Sequence, residues 1–412
     1  MKALLILSDL KTLNKSQRSA FIASFLGWTL DAFDFFLMSF TLGAIAKDFS
    51  VEVPAVALAI TLTLACRPIG AFVFGRLADR FGRRPILMID ILLFAVLEVA
   101  SAFAPNLTVF LVLRALFGMA MGGEWGIGAS LTFESIPDKA RGAVSGILQQ
   151  GYACGFLLAS VVNWALFELI GWRGMFIVGV IPALLVVYIR MSVEESPVWK
   201  AGEHVKAKLG FFAAMRGHWK LAAYVIVQMT AFNFFSHGTQ DLYPQFLRTT
   251  HHFDNGMVSL LTIVGNVGAI CGGIAFGAWS ERLGRRKAII FAALLALPIL
   301  PLWAFAQTPI LLGAGAFLMQ VAVQGAWGVI PTHLNELSPD AVRGTFPGLM
   351  YQLGNLLAAI NAVWQADIAK FYGDNYSISL AIVAGVAAVA IIALTAAGVE
   401  KKGVVFGAAE AD

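Results

Sequence analysis

Charge is what this chain has least of. Only 13% of its 412 residues are Asp, Glu, Lys or Arg, against 59% hydrophobic side chains, and the mean hydropathy is +0.78. So little charge excludes the ordinary water-soluble classes and leaves a polytopic membrane protein. Cysteine is scarce too. Cys66, Cys154 and Cys271 fall in apolar runs with neither pairing nor metal-ligand spacing, which excludes a disulfide framework and predicts buried free thiols. No His-Glu-x-x-His occurs among the histidines, and His251-His252 is a bare pair without a third ligand in sequence, read as a solvated loop. A membrane enzyme is therefore not expected, nor a metal, an organic cofactor or a nucleic-acid partner. The opening residues mix Lys2, Asp9, Lys11, Lys15 and Arg18 with short apolar runs and show no small-residue cleavage site, so no removable signal peptide is expected.

Long apolar runs are what the chain does have. They lie near 20–46, 54–76, 85–104, 107–131, 143–168, 172–192, 220–247, 255–278, 288–306, 309–332, 344–369 and 375–398. Each is long enough for a spanning helix of about 20 residues. The fold class expected is an all-α membrane protein of twelve transmembrane helices in two six-helix halves. The longest polar connection, which carries Lys200, Lys206, Lys208 and Arg216, divides the chain into halves 1–192 and 220–412 joined by a linker over 193–219. Lys47, Arg173, Arg248 and Lys370 fall on one side, Arg67 and Arg114 fall within spans, and the rest of the 29 Lys and Arg residues fall on the side of the termini. The positive-inside rule then makes both termini cytoplasmic, in a bacterial-type inner membrane.

The halves repeat each other. At an offset of 202, Gly75, Arg80, Gly82, Arg83 and Arg84 recur as Gly277, Arg282, Gly284, Arg285 and Arg286, and Asp79 becomes Glu281. The register holds through Gly123, Trp125 and Gly126 (Gly325, Trp327, Gly328) and through Glu134, Pro137, Asp138, Arg141 and Gly142 (Glu336, Pro339, Asp340, Arg343, Gly344) to Gln150 and Gln352. A tandem repeat of parallel topology places a substrate between its halves.

Gly75-Arg-Leu-Ala-Asp-Arg-Phe-Gly-Arg-Arg84, at a turn on the side of the termini and recurring at Gly277 to Arg286, resembles the signature loop of the major facilitator superfamily. The resemblance implies that fold, with Gly75, Asp79, Arg83, Gly277, Glu281 and Arg285 in gating loops where charge-assisted hydrogen bonds tie helix ends. Val193-Glu-Glu-Ser-Pro-Val-Trp199 is similar to the acidic Ser-Pro segment that follows the sixth span in many of its sugar and organic-acid porters.

One apolar run carries a dense polar stripe. Asn233, Ser236, His237, Gln240 and Asp241 fall at i, i+3, i+4, i+7 and i+8, one face of a helix. An ionisable group in hydrocarbon costs at least about 2.5 to 3.5 kcal/mol, so the stripe faces a bundle interior or a water-filled cavity, the alternative being a helix-to-helix packing seam. With Thr239, these residues resemble the seventh-span signature of the Jen-type lactate and pyruvate permeases, within the sialate:proton symporter family. Trp28-Thr-Leu-Asp31-Ala-Phe-Asp34 and Arg114-Ala-Leu-Phe-Gly-Met-Ala-Met-Gly-Gly-Glu124-Trp-Gly resemble that family's first and fourth spans. Gln245 departs from the fungal pattern, which has Thr there.

The resemblance implies symport of a short monocarboxylate with a proton, the proton gradient being the driving force, by a protein expected to act as a monomer. It points to Arg67, His237, Gln240, Asp241, Gln352 and Asn355 for binding, with Asn233 on the same face. Arg67 lies mid-span with a guanidinium suited to a carboxylate, the alternative being an ion pair with Asp31 or Asp34. Gln352 and Asn355 share a helix face suited to a hydroxyl or keto oxygen, or to an interhelical clasp. Asp31, Asp34, Arg114 and Glu124 are the candidates for proton coupling, with Arg114 expected to pair with a first-span aspartate; Glu98 has no assigned role. A sialic acid or other sugar-acid symporter is the alternative, followed by a channel or a non-transporting sensor.

Overall fold

The structure, a computed structural model, describes residues 11–206 and 211–407. Lys2, Asp9, Lys208 and the outer ends of the two expected halves lie outside the described residues. Among the described residues all regular structure is helical, and it forms twelve membrane-crossing rods. In the first half these are Lys15–Asp48, Val53–Phe81, Arg83–Ala102 and Leu107–Ser135. The fifth is Arg141–Gln149 running on into Gly151–Val178, and the non-helical Gly171 (φ 62°, ψ −177°) ends it. The rest of that helix and Pro182–Ser192 make the sixth. The linker carries Pro197–Lys206 and Phe211–Ala214.

The second half follows the same order, with three rods broken. The seventh is Trp219–Gln240 followed by Tyr243–Thr249, the tenth Pro309–Trp327 followed by Ile330–Leu337, and the eleventh Phe346–Ala358 followed by Asn361–Phe371. Asn255–Leu283, Arg285–Phe305 and Tyr376–Ala397 are continuous. By length and composition nine helical stretches could each cross a membrane, one of them, Asp138–Ser192, holding both the fifth and sixth rods. The seventh and eleventh do not qualify; polar side chains interrupt both, the stripe in the one and Gln352, Asn355, Asn361 and Gln365 in the other.

The seventh run is thus not one helix over 220–247, as the hydropathy predicts. Pro244 opens the second piece, has no N–H to donate and would clash with the carbonyl four residues back. The first piece therefore ends at Gln240, with Asp241 as its C-cap. A helix end leaves carbonyls without intrahelical donors, and Gln365 of the eleventh rod supplies one, its Nε2 donating to the Gly238 oxygen at 2.7 Å. The polar stripe accordingly occupies the last turns of a helix instead of its middle.

Within each half, small residues let two rods touch backbone to backbone. A Cβ on Gly70 would lie 1.7 Å from the Met119 carbonyl oxygen, and one on Gly272 would lie 2.3 Å from that of Val321, both residues of the second pair standing 202 positions after the first. The signature turns bend through Gly82 (φ 105°) and Gly284 (φ 90°), a region that favours glycine. Arg83 then reaches Glu134 at 3.0 Å and Asp79 at 3.2 Å, and Arg285 likewise reaches Glu336 at 2.9 Å and Glu281 at 2.8 Å. Glu195 of the acidic Ser-Pro segment accepts from the Arg83 and Arg84 amides at 3.0 and 3.1 Å, capping the third helix. Ser196 donates to Glu134 at 2.5 Å.

The same turns join the halves. Asp79 accepts from the Gly344 amide at 2.8 Å and the Thr345 hydroxyl at 2.5 Å, and in the mirrored contact Glu281 accepts from the Gly142 amide at 2.5 Å. Ser130 donates to the Arg343 carbonyl at 2.7 Å, and Thr332 N to Ser145 Oγ at 3.1 Å. These bonds gather at the end where the termini emerge, which is closed in this structure.

Candidate functional site

Depth along the eleventh rod orders the site. Thr345 is at the closed end, Tyr351 about 9 Å further at 1.5 Å per residue, and Asn355 about 15 Å further. At the level of Tyr351 an aromatic chain runs from half to half. Tyr152 lies 5.4 Å from Trp28, Trp28 6.5 Å from Trp125, Trp125 4.9 Å from Tyr351 and Tyr351 5.7 Å from Trp327. The indole nitrogens of Trp28 and Trp327 have no hydrogen-bond partner among the described residues. Above this floor stands the polar stripe.

His237 sits between two rods. Its Nδ1 is 3.2 Å from an Asp241 carboxylate oxygen and its Nε2 is 3.2 Å from Asn355 Oδ1, so both ring nitrogens face oxygens. An imidazolium satisfies both at once; a neutral ring does so only if the Asn355 amide turns over. The His237 and Asp241 side chains are 38% and 40% exposed although they lie among spanning helices, so they face a cleft that water can reach. Gln240 Nε2 donates to Gln320 Oε1 at 2.9 Å, and Gln320 Nε2 to Thr239 at 3.3 Å. That clasp ties up the Gln240 nitrogen and brings in Gln320, which the sequence reading passed over. Asn233 is buried and donates to the Met229 carbonyl of its own helix. Gln352 is buried, with its Oε1 unpartnered among the described residues.

Arg67 belongs to the opposite wall. It is 3% exposed, its Cζ lies 5.2 Å from the Phe35 ring centroid, and one terminal nitrogen donates to Met121 Sδ at 2.7 Å. No carboxylate lies within the 4.0 Å of an ion pair among the described residues, so pairing with Asp31 or Asp34 is not what the structure has. The guanidinium is near enough to act electrostatically on Asp31, Tyr152, Tyr351 and His237, which ties both walls and the floor to one cleft.

Behind Arg67 the first half holds a buried acidic interior. Asp31, Asp34, Asp90, Glu98, Glu124 and Arg114 are each 0% exposed. Arg114 pairs with Glu98 and lies over the Phe117 ring at 3.9 Å. The expected partner was a first-span aspartate. Glu98, on the third rod, takes that place; the first rod packs against the fourth as well, and the Arg114 charge still acts on Asp34. Among the described residues, both carboxylate oxygens of Asp31, Asp34, Asp90 and Glu124 lack hydrogen-bond partners. An unpaired anion there costs several kcal/mol more than the neutral acid, so gain and loss of a proton carry large energies at these positions. Asp90 went unnoticed in the sequence. The repeat would have exposed it: Arg67, Asp90, Arg114 and Glu124 all stand 202 positions before alanines, namely Ala269, Ala292, Ala316 and Ala326.

A fold of two parallel repeats, with signature turns clasping one end and a polar cleft between the halves, can be set beside known proteins. The model of the Major Facilitator Superfamily matches residues 24–362 and 229–409. The chain belongs to that superfamily. Like its members it is a multi-pass membrane transporter and not an enzyme. Among its relatives, a carboxylic acid transporter homolog of Saccharomyces cerevisiae is 29% identical over 88% of this chain, which spans 63% of the yeast protein. The sialic acid transporter of Escherichia coli is 30% identical over 91% of this chain and 93% of its own. The solved structure of a proton:xylose symporter superposes with a TM-score of 0.78 over 95% of this chain and 98% of its own, at 20% identity, a likeness of fold.

Proposed function

We propose that this facilitator carries a short monocarboxylate together with a proton, alternating access by rocking one half on the other. The observation that carries the reading is Arg67, a buried guanidinium beside the cleft with a thioether and a ring for company and, among the described residues, no carboxylate of its own. A substrate carboxylate supplies that partner, in a geometry the guanidinium fork suits. His237, held by Asp241, and Asn355 stand on the facing wall for a 2-hydroxy or 2-oxo group, with Gln352 Oε1 below them. The termini are taken to be cytoplasmic, which makes the conformation with clasped signature turns the outward-facing one.

Coupling follows from charge. A monocarboxylate anion entering against an inside-negative potential is opposed by about 2.3 kcal/mol per 100 mV, and one accompanying proton removes that opposition. Asp31 adjoins Arg67, and Asp34, Asp90 and Glu124 lie behind it, so an arriving anion that engages Arg67 withdraws a positive charge from the acidic interior and favours protonation there.

The relation to a sialic acid transporter over nearly the full length of both proteins favours a second reading, a sugar-acid symporter. Competition in proteoliposomes separates the two. Labelled lactate uptake should be blocked by excess pyruvate and barely touched by sialic acid; the reverse order establishes the sugar acid.

A further inference from the structure

Beyond the cleft, the segment after the twelfth helix does something the signature turns do not require. Residues 404–407 leave their own half and lie across the closed end. Phe406 is 8% exposed and is packed with Leu13, Ile136 and Val144 of the first half. Its ring is held between two guanidinium groups, Arg141 Cζ at 3.6 Å from the centroid and Arg343 Cζ at 3.9 Å. Those arginines are repeat mates, 202 positions apart, one from each half. Arg141 also donates to the Val404 carbonyl at 2.8 Å, and the Gly407 amide donates to Asp340 at 3.1 Å. One aromatic ring thus bridges the two halves at equivalent points.

We infer that residues 404–407 are a latch that holds the terminal side of the transporter closed, with Phe406 as its tongue. When the halves part on this side, Arg141 and Arg343 separate and the ring can follow only one of them. The cation–π contacts, the Arg141 hydrogen bond and the apolar burial of Phe406 are therefore gained in the closed state and lost in the parted one. A segment remote from the binding cleft sets the balance between the two states. The inference rests on the alternating-access reading, but not on which acid is carried.

The test measures that balance directly. With Cys66, Cys154 and Cys271 replaced by alanine, spin labels are placed on cysteines at the exposed repeat mates Arg80 and Arg282, and pulsed electron resonance reads the distance between them in the full chain. Phe406→Ala should raise the ratio of long to short distances about tenfold, as expected for losing two buried cation–π contacts. Phe406→Tyr should keep the wild-type ratio. Should Phe406→Ala fail to assemble, Phe406→Leu, which keeps apolar volume, gives the same shift in smaller measure. Two distances whose ratio responds to pH but is identical in wild type, Phe406→Ala and Phe406→Leu overturn the latch and leave alternating access standing. A single distance in every variant and condition overturns both.

Discussion

His237 on the seventh rod and Asn355 on the eleventh meet at 3.2 Å, at the contact between the two rods too polar to qualify as membrane spans on their own. The coincidence is physical. A cleft wall that binds a polar ligand must forgo the apolar surface that lipid demands, and irregular backbone at that depth is tolerated where it lines a water-filled cavity.

Because Asp241 orients the ring and Asn355 takes its other nitrogen, the pair should behave as one unit. His237→Ala, Asp241→Ala and the double substitution should each lose transport to a similar extent, the double falling well short of the sum. Counterflow exchange at fixed pH separates the roles. Variants that fail in net uptake and exchange alike keep the pair at the substrate; variants normal in exchange move it to the proton path.

Arg67→Lys preserves charge and discards the planar fork. Substrate affinity should fall roughly 10- to 100-fold, the worth of a charged hydrogen bond of about 1.5–3 kcal/mol. Calorimetric titration reads it, and unchanged affinity in Arg67→Ala would remove Arg67 from the site.

Much of this was legible beforehand, for identifiable reasons. Hydropathy and the 202-residue register give the two halves because both are global patterns that single breaks do not erase. The signature turns were legible because glycine at Gly82 and Gly284 and the paired charges are local requirements. What escaped was partner choice. Nothing in sequence spacing tells Arg114 to take Glu98 instead of Asp34, since the first and third rods both touch the fourth and side-chain geometry decides, and the Gln240–Gln320 clasp joins residues 80 positions apart. The break after Gln240 was within reach, because Pro244 marks it.

The Arg114–Glu98 pair is sealed from water, so halving it should cost more than deleting it. Glu98→Gln should destabilise by about 3–5 kcal/mol, while replacing both partners with leucine should recover most of that loss. Thermal unfolding in detergent measures the stability. Arg114→Lys, which keeps the charge, should leave exchange intact and weaken pH-driven uptake.

Gly142 faces the other half so closely that a methyl group cannot enter. A Cβ there would lie 2.5 Å from the Gly277 carbonyl oxygen and 2.8 Å from an Arg285 nitrogen. Gly142→Ala should therefore disfavour the closed end and raise the long-distance population between labels at positions 80 and 282. An unchanged distribution would show that the Gly142–Glu281 contact yields without consequence.

The central claim is that a carboxylate and a proton move together. Proteoliposomes with an inward pH gradient and the membrane potential clamped at zero should accumulate labelled lactate above equilibrium, and dissipating the gradient should abolish the accumulation. Accumulation driven by potential alone, with no response to the pH gradient, would contradict the account.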